Sequence, residues 1–206
     1  MVGDLFVTAV EQACEWHQGQ VRKGTDIPYI AHLLAVASLV LEAGGDEELA
    51  IAAVLHDAIE DQPDYATRDG IAEQFGPRVA DIVVACSDRE YGVEGTAANW
   101  RSRKEAYLEH LKSAPPDVLL VSCADKLHNA RSILRDLEQG IDVWNRFHNT
   151  DPATQLWYYR TLTEVFRDRL VRPRWLPREL HQTVDEIATL GLTGYRSRTT
   201  LRYHGE

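Results

Sequence analysis

The sequence is poor in features that mark whole classes of protein. It has three cysteines, Cys14, Cys86 and Cys123, and their odd number and wide spacing argue against a disulfide framework. Because each lies in an apolar stretch, we expect buried, reduced thiols in a reducing compartment. No apolar run reaches the roughly 18 residues that a membrane-spanning helix needs. Residues 1–4 also lack the basic segment of a signal peptide. We therefore expect a cytoplasmic protein without a membrane partner.

Basic residues are in short supply relative to acids. The chain has 22 Lys and Arg against 32 Asp and Glu, a formal net charge of −10. This balance argues against a general nucleic-acid binder, which would present a basic surface. It still permits a local basic pocket for a phosphorylated small molecule. The 206 residues can build a sizeable core, and we expect one domain with or without an appendage.

Strand patterns are also scarce, whereas apolar residues recur widely at helical spacing. The pattern predicts an all-α protein with roughly eight to ten helices. We expect a mobile loop at 87–98 and a loosely ordered tail at 193–206. The amphipathic C-terminal helix would pack on the domain or form a dimer contact. The first predicted helix begins at about 5 and ends near 17–19. The other helices with both ends predicted lie at about 29–42, 47–60, 69–75, 77–86, 100–113, 117–137 and 177–190.

One predicted helix combines apolar and ionisable residues. His56-Asp57 follows an apolar run, and Glu60-Asp61 comes one turn later. At about 3.6 residues per turn, Glu60 would lie above His56 and Asp61 above Asp57. A helix with this many apolar residues is buried, and buried ionisable groups are costly unless they are paired or bind a metal. The alternative is a helix end with solvated acids, although acids at a helix C-terminus oppose its dipole.

Two further ionisable residues occupy apolar surroundings elsewhere. His32 lies one turn into the second predicted helix, and Asp125 interrupts an apolar stretch. A buried carboxylate is rarely left unpaired. Alone, His32 could be a satisfied or exposed histidine. Asp125 could pair with Lys126, Arg131 or Arg135.

Taken together, four of these residues have the side chains of a metal site. The imidazoles of His32 and His56 and the carboxylates of Asp57 and Asp125 suit a divalent ion that accepts nitrogen and oxygen ligands, such as manganese. Coincidence is a poor explanation for the set in a helical chain of this length. We therefore predict a metal centre assembled from separate parts of the chain.

The order of these residues resembles the metal-binding pattern of the HD superfamily of phosphohydrolases. Further motifs resemble the hydrolase domain of RelA/SpoT-type alarmone enzymes over about residues 4–170. Nothing later in the chain is long enough for a synthetase domain, and residues 88–90 with 100–104 resemble the stand-alone small alarmone hydrolases. The resemblance implies an HD-type helical domain at 1–170, with a C-terminal helix and tail at 171–206 packed on it. The motifs that carry it lie at 17–23, 28–32, 52–61, 75–79 and 124–131.

The resemblance also implies a role for each site residue. The metal ligands would be His32, His56, Asp57 and Asp125. Glu60 and Asp61 would position and deprotonate the attacking water. His128 would be structural or exposed rather than a ligand. The substrate would contact basic, aromatic and amide side chains: Arg22, Lys23, Tyr29, Lys104 and Asn129. For the basic residues among these, the alternative is a solvated position without a substrate contact. Arg103 is an alternative to Lys104 as a contact to the substrate phosphates.

The function implied by this resemblance is metal-dependent hydrolysis of an alarmone. The enzyme would remove the 3′-pyrophosphate of guanosine tetra- or pentaphosphate, ppGpp or pppGpp, and release GDP or GTP. The same fold could act on ppApp or on the 2′-phosphate of NADPH. A non-catalytic nucleotide-binding or antitoxin module is a further alternative, although such a module would not need Glu60 and Asp61. We expect a nucleotide as the partner, no nucleic acid, and an oligomer as an open possibility.

Overall fold

The structure, a computed structural model, describes residues 2–87, 97–147 and 149–202. Most of the loop predicted at 87–98, including the motif at 88–90, lies outside these residues. The described chain forms α1 Asp4–Trp16, α2 Ile30–Glu42, α3 Glu47–Leu55, α4 Ala58–Asp61, α5 Arg68–Phe75, α6 Pro77–Cys86, α7 Ala97–Ser113, α8 Pro116–Glu138, a 3-10 turn Trp144–Arg146, α9 Pro152–Arg169 and α10 Trp175–Arg202.

The all-α prediction is confirmed. Within the described ranges there is no β-strand, and the one β-type pairing is an isolated antiparallel bridge between Val21 and Pro28. None of the helices in those ranges combines the length and the apolar character needed to cross a membrane.

Helix α8 forms the centre of the fold. It packs against α2, α3, α6, α9 and α10. Its residues from Val118 to Asp125 are all buried, which is the pattern of a helix enclosed on every side. Because α2 and α3 both pack on α8, the first turn of α2 and the end of α3 come close to Asp125.

The predicted continuous helix at 47–60 is wrong. Helix α3 ends at Leu55, and the single turn α4 begins at Ala58. The His56 Nδ1–H donates to the Ala53 carbonyl at 2.8 Å. In an unbroken helix that carbonyl would accept the backbone N–H of Asp57, so the side chain competes with the helical hydrogen bond.

The end of the chain also differs from its prediction. Helix α10 continues to Arg202, whereas we expected a helix that ends near 190 and a loosely ordered tail from 193. Helix α10 packs along α8 and α9. At Gly191 a Cβ atom would lie 2.7 Å from Trp144 Cζ2, so the absence of a side chain allows this close approach. Residues 203–206 of the predicted tail lie outside the described residues.

The cysteines are free, but they are not equally buried. Cys123 is buried, Cys86 is half-buried and Cys14 is exposed. The prediction of a buried thiol is wrong for Cys14 because Ala9 and Ala13 form the core-facing side of α1, and Cys14 lies off that side. Burial raises the pKa of the Cys86 thiol to about 11.

Candidate metal centre and catalytic cleft

The residues predicted as metal ligands come from three elements that meet at α8. His32 lies in the first turn of α2, His56 and Asp57 lie at the break between α3 and α4, and Asp125 lies within α8. The exposed fractions of His32, His56 and Asp125 are 1%, 2% and 6%. The Asp57 side chain is half-buried, at 22% exposed. The structure therefore brings all four side chains into one largely buried cluster.

The imidazole Nε2 atoms and the carboxylate oxygens converge in this cluster without hydrogen bonding to one another. His56 Nε2 lies 3.1 Å from Asp57 Oδ2 and 3.6 Å from Asp125 Oδ1. His32 Nε2 lies 3.4 Å and 3.3 Å from the same two oxygens. Both Nε2 atoms are buried and have no hydrogen-bond partner among the described residues. One potential ligand atom each from His32, His56 and Asp57 lies within 4.8 Å of the others.

Other contacts of these ligands orient them toward the common centre. Because His56 Nδ1 donates its hydrogen to Ala53, the lone pair of Nε2 points into the cluster. The Lys126 ammonium lies 2.6 Å from Asp125 Oδ2, which leaves Oδ1 toward the imidazoles. The predicted alternative of a Lys126 pair is therefore present, and it coexists with the cluster.

Electrostatics inside the cluster favour positive charge. Burial opposes ionisation of His56, but the nearby carboxylates of Asp57 and Asp125 outweigh it and raise the His56 pKa. Burial likewise opposes ionisation of Asp57 and Asp125. His56 and His32 lower the Asp57 pKa, and Lys126 with both imidazoles lowers that of Asp125. Two unpartnered nitrogens beside two anionic carboxylates fit a divalent cation, whose binding would replace the imidazole protons.

A cleft of about 530 Å³ opens over the cluster. Several cationic side chains line the cleft, although the whole chain is acidic. Lys126, Arg135 and Arg146 line it in addition to the predicted basic residues. Glu60 does not line it; this side chain is half-buried on α4. His56, Asp57 and Asp125 do not line it either, so the cluster reaches the cleft through His32. The predicted residues among those that line the cleft are Arg22, Lys23, Tyr29, His32, Asp61, Lys104 and Asn129.

Asp61 lies at the mouth of the cleft and is held by a network that sequence reasoning missed. Gln20 Nε2 donates to Asp61 Oδ2 at 2.8 Å. Gln20 Oε1 accepts from Gln62 Nε2 at 2.8 Å and pairs with His17 Nδ1 at 2.7 Å. Desolvation and the nearby Asp57 charge raise the Asp61 pKa. Gln20 stands in the 17–23 motif, but that motif alone did not indicate its contact with Asp61.

Three predicted substrate contacts are joined across the cleft. The Tyr29 hydroxyl donates to Asp57 Oδ2 at 2.6 Å, and the Arg22 guanidinium lies over the Tyr29 ring at 5.6 Å. Arg22 Nη2 donates to Asn129 Oδ1, while Asn129 Nδ2 donates to Asp125 Oδ1, both at 2.5 Å. Burial and the Asp57 charge raise the Tyr29 pKa, so the hydroxyl keeps its proton.

His128, which was predicted to be structural or exposed rather than a ligand, lines the cleft and contacts a predicted ligand. Its Nδ1 lies 2.7 Å from His32 Nδ1, and the two ring centroids are 4.8 Å apart. Burial, then the nearby His32 and Arg22, lower the His128 pKa to about 3. A sequence signal did exist, because residues three apart share a helix face and His128 lies three after Asp125.

The far wall of the cleft is aromatic. Tyr158 and Tyr159 of α9 are buried and line it, while Trp157 is half-buried beneath the Arg101 guanidinium. Lys104 Nζ lies 5.1 Å from the Tyr158 ring centroid. Of the two predicted alternatives on α7, Lys104 lines the cleft and Arg103 does not.

Comparison with known proteins relates this geometry to characterised relatives. A family model described as an HD domain matches residues 9–150. A guanosine-3′,5′-bis(diphosphate) 3′-pyrophosphohydrolase from Haemophilus influenzae is 36% identical over 123 residues, which are 57% of this chain and 17% of that protein. A probable GTP pyrophosphokinase from Mycobacterium leprae is 35% identical over 125 residues, 61% of this chain and 15% of that protein. This chain thus spans less than a fifth of these relatives.

A solved structure matches over a much larger share of both chains. It is a metazoan ortholog of SpoT that hydrolyzes ppGpp, and it superposes with a TM-score of 0.68 at 25% identity. The match covers 91% of this chain and 95% of that one. The resemblance to RelA/SpoT-type HD hydrolases is therefore confirmed.

Proposed function

The chain belongs to the HD domain family, and on that premise we propose that it is a metal-dependent 3′-pyrophosphohydrolase of ppGpp and pppGpp. It would break the bond between the 3′ oxygen and the pyrophosphate, giving GDP or GTP and pyrophosphate. The Haemophilus relative bears this activity in its name, and the metazoan SpoT ortholog hydrolyzes ppGpp. The match to the second protein extends over nearly its whole chain, which supports the proposal beyond the shared HD region.

One observation carries the proposal. Two buried imidazole nitrogens have no hydrogen-bond partner within the described part of the chain, and they face two carboxylate oxygens at 3.1 to 3.6 Å. Unpaired buried polar atoms are costly. A cation bound among them would remove that cost, and a cationic cleft above them suits a polyphosphate.

The cluster would hold the metal ion through His32, His56, Asp57 and Asp125, and we propose Mn²⁺ because the donors are mixed nitrogen and oxygen. Such an ion supplies Lewis acidity toward a phosphoryl oxygen and acidifies water. Asp61, anchored by Gln20, would accept the proton of the attacking water.

Glu60 would act less directly than we expected from the resemblance. It is half-buried and absent from the cleft wall, whereas Asp61 lines that wall. We therefore propose that Asp61 is the proton acceptor and that Glu60 helps to position the water.

The substrate would be held by charge and by stacking. Arg22, Lys23 and Lys104 would offset the negative charge of the two pyrophosphate groups. Arg22 can also stack its planar guanidinium on a purine, and Tyr29 lies beneath it at 5.6 Å. Asn129 would contact the ribose or a phosphate through its amide.

We also propose a division of the chain and a cellular setting for the protein. The hydrolase domain would occupy residues 1–170, with residues 171–206 forming an appended element of helix and tail. The protein would work in the cytoplasm on a small nucleotide, without a nucleic-acid partner.

A comparison of substrates tests the function most directly. Purified protein with Mn²⁺ is given ppGpp, ppApp and NADPH at equal concentrations, and pyrophosphate and phosphate release are measured with and without a chelator. We expect metal-dependent pyrophosphate release, with the highest kcat/KM on ppGpp. A higher kcat/KM on ppApp or NADPH would replace the substrate assignment.

The same assay separates an enzyme from a binding module. Asp57→Asn and Asp61→Asn should abolish or greatly reduce turnover, and Arg101→Gln, which removes an exposed charge that does not line the cleft, provides the control. Tight nucleotide binding by the wild type without any turnover would contradict the enzyme and support the non-catalytic module.

A further inference from the structure

We propose that His128 is a positioning residue that fixes the proton of His32 and thereby sets the affinity of the centre for its metal ion. The inference rests on the proposed metal centre, and it adds a role for a side chain outside the ligand set. The observation behind it is the contact of 2.7 Å between His32 Nδ1 and His128 Nδ1.

Two ring nitrogens at this distance must share one hydrogen. A neutral imidazole has one N–H donor and one bare acceptor nitrogen, and two donors or two acceptors in contact would repel. Either His32 donates to His128, or His128 donates to His32. The choice determines which nitrogen of His32 carries a lone pair.

Metal binding selects the first arrangement. The Nε2 atom of His32 lies 3.4 Å from Asp57 Oδ2 and 3.3 Å from Asp125 Oδ1, so this nitrogen faces the centre. To bind a cation it must be bare, and the hydrogen must then be on Nδ1. His128 must accept that hydrogen through its own bare Nδ1 and must be neutral.

The two imidazoles of the cluster depend on different acceptors. His56 Nδ1 donates to the backbone carbonyl of Ala53 at 2.8 Å, an acceptor that no substitution removes. His32 Nδ1 has the side chain of His128 instead. The His32 side chain is only 1% exposed, so solvent is poorly placed to substitute for that acceptor. Loss of His128 should therefore leave one ligand without a fixed orientation.

Titration of the protein with Mn²⁺ in the absence of nucleotide tests this role. Free Mn²⁺ is measured by its paramagnetic resonance signal for the wild type, His128→Leu, His128→Asn and the control His181→Leu. Loss of a hydrogen bond behind a metal ligand typically weakens metal binding about 10- to 100-fold, and we expect that change for His128→Leu. His128→Asn can present an amide oxygen close to the position of Nδ1, and it should recover most of the affinity.

The control and a kinetic measurement separate positioning from general damage. His181 lies on α10 beside Asp185 and does not line the catalytic cleft, so His181→Leu should bind Mn²⁺ like the wild type. For His128→Leu, ppGpp hydrolysis should need more Mn²⁺ for half-maximal rate, while kcat at saturating Mn²⁺ recovers toward the wild type. Thermal melting without metal verifies that each variant folds.

Several outcomes would overturn the inference. Wild-type affinity in His128→Leu would show that His32 needs no acceptor, and equal weakening in His128→Asn would show that hydrogen bonding is not the cause. A wild type that does not bind Mn²⁺ also refutes it. If the wild type binds Mn²⁺ but does not hydrolyse ppGpp, the proposed function fails while the titration still tests His128.

Discussion

Two clusters of ionisable side chains in this molecule differ in whether their polar atoms have hydrogen-bond partners. At the surface, the Arg78 guanidinium bonds Asp46 and Glu48 at 2.7 Å and Asp117 at 2.8 Å. Asp46 also caps α3 by accepting the Leu49 N–H at 2.9 Å. In this half-exposed group, the acids all bond the guanidinium. In the metal cluster, by contrast, two buried Nε2 atoms face carboxylates without a hydrogen bond.

The difference shows how a structural ion cluster can be told from a binding centre. The Arg78 cluster satisfies its own atoms and links α3, α6 and α8, so it requires no ligand. The metal cluster is drier, yet it leaves its inward-facing nitrogens unpaired. Changes in the metal cluster should therefore affect metal binding and catalysis, whereas changes in the Arg78 cluster should affect only stability.

The largest effect should follow a change inside the metal cluster. Asp57→Asn replaces an anionic oxygen by a neutral amide and should remove most of the affinity for Mn²⁺. We expect hydrolysis to fall about 10³-fold, equivalent to about 4 kcal/mol of lost transition-state stabilisation. The checks are kcat/KM on ppGpp and Mn²⁺ titration. Near-normal activity with normal Mn²⁺ binding would refute the role of Asp57.

A smaller loss should follow removal of the proposed proton acceptor. Asp61→Asn should lower kcat about 10²-fold, near the lower end for general bases, because Glu60 remains beside it. Mn²⁺ affinity should stay unchanged. Gln20→Leu, which removes the donor to Asp61, should lower kcat less. A fall in Mn²⁺ affinity instead would make Asp61 a part of the metal centre.

The pH dependence should identify the same carboxylate. A general base must be deprotonated, so the rate should fall as the pH drops through the Asp61 pKa, which lies above the ordinary 3.8. At saturating Mn²⁺, this acid limb of the kcat profile should disappear in Asp61→Asn. An unchanged limb in that variant would assign it to another group.

Addition of metal should stabilise the fold by an intermediate amount. Mn²⁺ at about 100 times its Kd should add about 2.7 kcal/mol to the free energy of unfolding, because it binds the native state alone. For a chain of this size each kcal/mol raises Tm by about 2–4 °C. Differential scanning fluorimetry should show the rise in the wild type and its loss with a chelator. An equal rise in Asp57→Asn would place the ion elsewhere.

The smallest effect should follow a change in the surface cluster. Arg78→Met should lower the free energy of unfolding by about 1 kcal/mol, because exposed ion pairs are weak and screened. Chemical denaturation should show a smaller loss in 1 M NaCl than at low salt. Neither kcat on ppGpp nor Mn²⁺ affinity should change. Lost metal binding in this variant would remove the contrast between the clusters.

Much of the fold was predictable from local pattern. Apolar spacing predicted an all-helical chain, and the helices predicted at 77–86 and 117–137 correspond closely to α6 and α8. The break at His56 was not predictable from spacing, because it depends on a side chain that takes the Ala53 carbonyl. The exposure of Cys14 was likewise not predictable, because it depends on which face of α1 packs against the rest of the protein.

The candidate site was likewise only partly predictable from the sequence. Residue type and motif order singled out His32, His56, Asp57 and Asp125, and helix packing brings them within reach of one another. Pattern did not show that Glu60 lies off the cleft. It also missed Gln20 as the anchor of Asp61, because that contact joins positions 41 residues apart.

Residue order alone therefore specified the all-α class, most of the helices and the chemical types of donor available for a cation. Helical periodicity assigns each side chain to a face, because it describes geometry within one element. It does not describe how two helices rotate against each other, and that rotation sets the contacts of Arg22 with Asn129 and of His32 with His128, across 107 and 96 residues. The second of these contacts is the one that, in our proposal for His128, leaves Nε2 of His32 free to bind a metal ion.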